Sequence, residues 1–291
     1  MKNTSPRLVR IALSALFLGI ALVLKTVSTF DFPLFGGNGM RFGISGIFSV
    51  MPALLFGPWY GAAVSGLSDV LGYMLKPSGQ YLFLMTFTAA AGGFIRGALW
   101  KIIKKRSNAK TRLAAAGFAA VILAVGLANL ITLYADGVTP SFYEGVAIES
   151  INTDDLHLVS RLLVTRTMGA KDPGGNLTAY ILLTTWGLIG SAVFGLLLML
   201  TERLLSKRSG APRGGIMPLF VTLLISGMVV TTLNTFILRG AFPTWKLLPF
   251  VVVWIPRVIE EIISSTINTY FVAALLKLSE SRKEINSLIL P

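Results

Sequence analysis

Eight apolar runs, each long or nearly long enough to cross a lipid bilayer, dominate this sequence. A transmembrane helix needs about 20 consecutive apolar residues, and helices satisfy their own backbone polar groups in lipid. The runs cover 8–30, 42–57, 58–75, 79–103, 113–135, 178–205, 216–238 and 256–278, of which the second and third are short. We therefore predict an all-α, polytopic membrane bundle of eight helices.

Composition and charge agree with a membrane protein. The 291 residues are 54% hydrophobic and 13% charged, whereas about a quarter of the residues of a soluble domain are charged. The absence of cysteine and the presence of one histidine argue against thiolate or histidine-cluster metal sites, so no metal is expected. We expect no nucleic-acid partner, because the net charge of +13 is better explained by loops that flank a bilayer.

The basic residues also predict an orientation. With the N-terminus in the cytoplasm, sixteen Lys and Arg residues fall in cytoplasmic segments, seven fall outside, and Lys25, Arg96 and Arg257 lie within the runs. Because cytoplasmic loops are enriched in Lys and Arg, this asymmetry predicts a multi-pass protein of the cell membrane with both termini in the cytoplasm.

A stripe of small residues with one acid marks the third run. Gly57, Gly61, Ser65, Asp69 and Tyr73 recur every four residues, and therefore share one face of a helix that another helix can approach closely. A carboxylate in an apolar span costs roughly 2.5–3.5 kcal/mol on insertion scales, so Asp69 should face protein or a watery cavity. We favour a structural role for Asp69 over direct contact with a solute.

Polar residues gather near the predicted outer ends of several helices. Convergent polar groups in an apolar bundle indicate a pocket for a small solute rather than a pore, which needs polar stripes through the full thickness. The excess of cations among them favours an anionic solute. The candidate solute-binding residues are Lys25, Asn38, Arg41, Asn234, Lys246, Arg257, Glu260 and Glu261. Asp69 and Asn268 are expected to support this pocket.

No motif for covalent catalysis or for nucleotide hydrolysis is present. The sequence has neither a Gly-x-Ser-x-Gly elbow nor a Gly-x-x-x-x-Gly-Lys-Ser/Thr phosphate loop. We therefore expect no catalytic residues and no cofactor in this chain. Any ATP-driven work would need partner subunits.

Several of these segments together resemble the substrate-binding S components of energy-coupling factor (ECF) transporters, particularly the folate-type group. The resemblance rests on the small-x-x-x-small pair in the first helix, on Arg41-Phe followed by Leu-Leu-Phe-Gly-Pro-Trp-Tyr-Gly and Gly-Leu-Ser-Asp69-Val-Leu-Gly, and on Pro256-Arg257-Val-Ile-Glu-Glu with Ile267-Asn268-Thr-Tyr. It covers about residues 5–105 and 216–280.

The resemblance implies a six-helix bundle that binds a vitamin-like solute from outside. It also implies docking on a membrane coupling (T) subunit that carries two cytoplasmic ATPases. By position, Ala15 and Gly19 would belong to the docking surface, while Arg41, Asp69, Asn234 and Arg257 would lie in or beside the pocket.

The chain departs from that family in its size. We interpret 1–106 and 216–291 as the S-component-like core, and 107–215 as an inserted helix pair with an external loop at 136–177. Two alternatives remain open at this point. One is a self-sufficient secondary transporter, which should show inverted repeats. The other is a membrane enzyme that uses Asp69 with Glu260 and Glu261.

Overall fold

A computed structural model describes residues 5–34, 37–77, 79–106, 108–136, 157–158, 180–209, 214–246, 250–282, 285 and 287–289. Its long elements are helices. In chain order they are α1 (Pro6–Val27), α2 (Ser45–Phe56), α3 (Pro58–Leu75), α4 (Phe83–Ile103), α5 (Asn108–Ala135), α6 (Leu188–Ser209), α7 (Ile216–Ala241) and α8 (Phe250–Ser281). A π-helical segment, Leu183–Gly187, leads into α6, and a single turn, Pro243–Lys246, follows α7.

Within the residues that the structure describes, six stretches of helix are long and apolar enough to cross a membrane. They are Pro6–Val27, Phe83–Ile103, Ala109–Ala135, Tyr180–Glu202, Ile216–Ala241 and Val253–Ser281. α2 has 12 residues and is about 18 Å long, too short to span alone. It joins α3 through Gly57, whose φ of 100° favours a residue without a side chain. The predicted all-α polytopic bundle of eight helices is confirmed.

The last helix begins earlier than expected. The sequence favoured Pro256 as its first residue, because proline suits the first turn of a helix. Instead α8 begins at Phe250 and contains Pro256 in its interior, so that prediction is wrong. A proline there removes one backbone hydrogen bond. Val253 and Ile255, both buried, pack the turn before it, and this tertiary packing outweighs the local preference.

A β-hairpin, which was not predicted from the sequence, follows α1. β1 (Thr29–Leu34) pairs antiparallel with β2 (Gly37–Gly43), and Asp31 lies opposite Arg41 in the register. β2 also lies against α8. We call this side of the bundle the hairpin end, and the side where α2 meets α3 the basic end.

α3 and α4 pack closely along their small residues, as the stripe predicted. A Cβ added to Gly93 would collide with the carbonyl oxygen of Gly61, and one added to Gly97 would lie 2.7 Å from the backbone of Pro58. Such close backbone approach is typical of helix pairs in membranes.

The largest apolar core lies toward the basic end. α2 supplies Met51 and Leu55, α7 supplies Met217 and Leu219, and all four are at most 1% exposed. Leu288, beyond α8, joins this cluster, and its carbonyl accepts a hydrogen bond of 3.0 Å from Nε of Arg10. The basic end is therefore tightly packed, and the C-terminal segment secures the start of α1 there.

α5 and α6 form a pair held by buried polar contacts. Nη2 of Arg112 lies 2.5 Å from Oε2 of Glu202, which is fully buried, and Nδ2 of Asn129 donates to Oγ1 of Thr185 at 2.8 Å. α5 also contacts α7, and α6 contacts α8. The division into core 1–106 and 216–291 and inserted pair 107–215 stays a prediction. Most of the expected external loop, 136–177, lies outside the described residues.

Candidate functional site

A polar stripe runs along one flank of α8. It consists of Arg257, Glu260, Glu261, Ser264 and Asn268, which recur at helical spacing over about 16 Å. All five are partly accessible to solvent, whereas the next face of the same turns is buried, with Val258, Ile259, Ile262, Ser265 and Thr266 each under 9% exposed. We call these five residues the α8 stripe.

β2 and the first turn of α2 lie beside the α8 stripe. Both elements contact α8, and a Cβ on Gly46 would lie 3.7 Å from Nδ2 of Asn268. Asn268 in turn donates to Oγ of Ser264 at 3.2 Å. Asn38 and Arg41 belong to β2, so their backbone is near α8, while their side chains lie outside the described part of the chain. The hairpin therefore brings two of the predicted site residues close to α8, which carries four others.

Glu261 lies at the meeting point of α4, α7 and α8. It accepts hydrogen bonds from Oγ of Ser265 at 2.7 Å and from Oγ1 of Thr231 at 3.3 Å. Arg96 of α4 interacts electrostatically with Glu261, and its Nε donates to Oγ of Ser226 at 3.2 Å. These contacts fix the carboxylate within the bundle.

The backbone of α7 makes room for this carboxylate at Gly227. A Cβ at that position would overlap the Oε1 atom of Glu261. Glycine is therefore required by space rather than by backbone conformation. Residues on α4, α7 and α8 thus together determine where the carboxylate of Glu261 lies.

Arg257 carries two buried donor atoms without partners in the described part of the chain. Its Nε and Nη1 atoms are buried and have no hydrogen-bond partner among the described residues. Glu260 and Glu261 both act on its charge electrostatically, yet no ion pair to Arg257 is formed within the described contacts. Buried guanidinium nitrogens are usually hydrogen-bonded, so this group is an exception that calls for a partner.

A second polar cluster joins α1, α3 and α4 near the hairpin end. Nζ of Lys25 lies 4.0 Å from Oδ1 of Asp69 and donates to the carbonyl of Ser68 at 3.2 Å. Oγ1 of Thr86 donates to Oδ2 of Asp69 at 2.6 Å, and the hydroxyl of Tyr81 lies 2.7 Å from that of Thr86. Asp69 therefore links three helices, and Lys25 is engaged in that link.

The remaining candidate residues lie elsewhere. Oδ1 of Asn234 accepts a hydrogen bond from Thr88 at 2.5 Å, which joins α7 to α4. Lys246 is exposed at the end of the turn after α7, and its carbonyl accepts from Arg239 at 3.5 Å. Ala15 and Gly19 are exposed on α1, and nothing lies within 4 Å of a Cβ placed on Gly19. Of the polar candidates, the α8 stripe and the hairpin come together most clearly.

Arg96 lies within an apolar run of the sequence but was not included among the predicted site residues. The side chain points to Ser226 and Glu261. An ionisable residue within a transmembrane run is a functional candidate by default, and that signal would have identified it. Thr231 and Gly227 gave no comparable signal, since small and hydroxyl residues are common in such helices.

No group of three or more His, Cys, Asp or Glu side chains that could hold a metal ion occurs in the described ranges. Asp69 contacts Lys25 and Thr86, whereas Glu261 contacts Thr231 and Ser265, so the two acids share no hydrogen-bond partner there. The arrangement suits binding of a polar solute by charges and hydroxyl groups.

Comparison with known protein families gives one match. The model of the family described as ECF-type riboflavin transporter, S component, matches residues 8–168, which is more than half of the chain. Comparison with curated proteins and with solved structures gives no significant match. The expected S component is confirmed, while the folate-type group is corrected to the riboflavin family, because the shared motifs did not separate the two. The chain therefore belongs to the family of ECF-type riboflavin transporter S components and is a membrane-embedded substrate-binding subunit of an ECF importer.

Proposed function

We propose that this chain captures a flavin-like solute outside the cell membrane and delivers it to a coupling module. The flavin assignment is taken from the family name. The observation that carries the site is the accessible α8 stripe beside strand β2. Small-molecule sites obtain specificity from a few oriented polar groups within apolar walls, and the α8 stripe supplies polar groups of this kind.

The solute would enter from the hairpin end. The excess of basic residues at the opposite end supports a cytoplasmic location for that end and for both termini. Arg41 and Asn38 would approach the solute from the hairpin, and Arg257, Glu260 and Glu261 from α8. Lys25, Asn234 and Lys246 remain candidates by sequence, with Asp69 and Asn268 in supporting roles.

Release would depend on partner subunits. The coupling (T) subunit would dock on the exposed face of α1 that contains Ala15 and Gly19, and two ATPases would supply the energy. ATP is thus used by the partners, and this chain needs no cofactor. The extra pair α5 and α6 would stay beside the core during transport, because α5 contacts α7 and α6 contacts α8.

Uptake of radiolabelled riboflavin tests this proposal. The full chain is expressed in bacteria that lack their own flavin uptake, with or without a coupling subunit and its two ATPases. We expect accumulation only with the complete module, and none when the ATPases carry an inactivating substitution. Accumulation without any partner would support a secondary transporter instead, and absence of uptake and of binding would reject the flavin assignment.

A further inference from the structure

Two buried donor atoms of Arg257, Nε and Nη1, have no hydrogen-bond partner among the described residues, and this costs the folded chain free energy. A hydrogen-bond donor left unsatisfied in a buried place costs about 1–3 kcal/mol, and a charged one costs more. Two nitrogens of Arg257 are in that state, while the side chain as a whole is partly accessible. A group that approaches along the α8 stripe could therefore reach it.

The protein's own acids do not complete Arg257. Glu261 already accepts hydrogen bonds from Ser265 and Thr231, and Arg96 lies on its other side. Glu260, the residue before Glu261, interacts with Arg257 electrostatically but forms no hydrogen bond with it within the described contacts. Both acids lower the cost of a buried positive charge, and neither accepts a hydrogen bond from Nε or Nη1.

We infer that Arg257 binds an acidic group carried by the solute, such as a phosphate ester. A guanidinium offers parallel N–H donors that match the geometry of a phosphate or carboxylate, and such charge-assisted pairs are about twice as strong as neutral ones. The inference rests on the proposed function and narrows it: the solute is the acidic form of the flavin class. The uncharged form would fill the same space and leave the guanidinium unsatisfied.

Equilibrium binding to the purified full-length protein tests this assignment. Riboflavin and riboflavin 5′-phosphate are titrated separately, and the quenching of flavin fluorescence reports the bound fraction. We expect the phosphate ester to bind at least tenfold more tightly than riboflavin. In Arg257→Gln this difference should disappear, because the affinity for the phosphate ester falls at least tenfold more than the affinity for riboflavin. Arg257→Lys should keep part of the difference, because it retains the charge without the planar fork.

Arg239→Gln is the matched control. Arg239 also lies toward the hairpin end, but unlike Arg257 it donates hydrogen bonds to backbone carbonyls, those of Trp245 and Lys246. It should preserve the preference for the phosphate ester. Inorganic phosphate added together with riboflavin is the third arm, since a gain in affinity there would assign Arg257 to a free anion and not to the solute.

The outcomes separate the two proposals. Equal affinities of the normal protein for both flavins, or an equal loss of both in Arg257→Gln, would overturn the acidic-group assignment and leave flavin capture intact. Binding of neither flavin would overturn both. Circular dichroism of each variant before titration ensures that a loss of binding is not a loss of folding.

Discussion

Two arginines within the bundle have opposite surroundings. Arg112 of α5 meets the fully buried Glu202 of α6 at 2.5 Å, and although its Nε lacks a partner in the described structure, its charge is neutralised by direct contact. Arg257 of α8 has two acids nearby and a hydrogen bond to neither in the same set of contacts. The first arrangement joins two helices, and the second leaves a donor group available.

Whether a buried charge has a direct partner therefore indicates its role better than its degree of burial: a paired charge is structural, and an unpaired one is available for binding. A completed ion pair resists removal of either partner, because the other is then left buried and uncompensated. Arg257 forms no such ion pair within the described contacts. Stability measured without solute should therefore respond to the two arginines in different ways.

The largest expected effect is that of Arg112→Gln. Glu202 is 0% exposed and would lose its counter-ion, while Arg112 is 28% exposed. We expect a loss of about 3 kcal/mol, near the lower limit for breaking a buried pair. Thermal unfolding of the detergent-solubilised protein measures it. The double variant with Glu202→Gln should recover most of the loss, and an unchanged midpoint in the single variant would contradict a structural role for the pair.

A smaller effect is expected at Gly227, where α7 makes room for Glu261. In Gly227→Ala the new methyl group would overlap Oε1 of the carboxylate, so Glu261 must move away from Thr231 and Ser265. Overpacking of this kind costs about 1–3 kcal/mol, and we expect about 2. The change in unfolding midpoint is the measurement.

Gly190→Ala is the matched control for Gly227→Ala, since nothing lies within 4 Å of a Cβ at Gly190. It should leave the midpoint unchanged. Equal stability of the two alanine variants would show that Glu261 shifts without cost, and its position would then not be fixed by the surrounding helices.

Asp69→Asn should have a weaker effect still. Its ion pair with Lys25 has a separation of 4.0 Å, and the two side chains are 30% and 21% exposed, so the pair contributes little. The hydrogen bond from Thr86 can be kept by the amide oxygen. We expect a loss of about 1 kcal/mol or less in thermal unfolding, with solute affinity changed less than threefold. A tenfold loss of affinity would instead assign Asp69 to the binding site.

The helices could be predicted from the sequence because each is a long apolar run, and the close packing of α3 on α4 followed from glycines spaced by four. The hairpin could not. Gly36, Gly37 and Gly39 read equally well as a flexible connection, and strands this short depend on what they pack against. The start of α8 failed for a related reason, since packing around Val253 overrode the preference of Pro256.

The site was predictable only in part. Arg257, Glu261 and Asn268 were named from the sequence as candidate or supporting residues, and in the structure they lie on one side of α8. The partners of each charge come from other helices, at separations along the chain of 30 residues for Thr231 and Glu261 and 130 for Arg96 and Ser226. No local pattern records such pairings, so the sequence could not distinguish a satisfied charge from an open one.

Arg257→Gln should change stability least, although it removes a buried charge. The guanidinium makes no hydrogen bond within the described contacts, so replacing it with a neutral amide breaks none and removes the cost of desolvating a cation. Glu260 and Glu261 lose a favourable electrostatic neighbour, which offsets part of that gain. We expect an unfolding midpoint without solute that is unchanged or equivalent to a gain of up to about 1 kcal/mol.

The same variant measured with solute completes the contrast with Arg112. Ligand stabilises the folded state by an amount that grows with its affinity, so riboflavin 5′-phosphate should raise the midpoint of the normal protein more than that of Arg257→Gln. Arg112→Gln should have a lower unfolding midpoint without solute. Riboflavin 5′-phosphate should raise that midpoint by as much as it raises the midpoint of the normal protein. A loss of stability in solute-free Arg257→Gln comparable to that of Arg112→Gln would mean that Arg257 is a structural cation, and its open donors would then have no bearing on the solute.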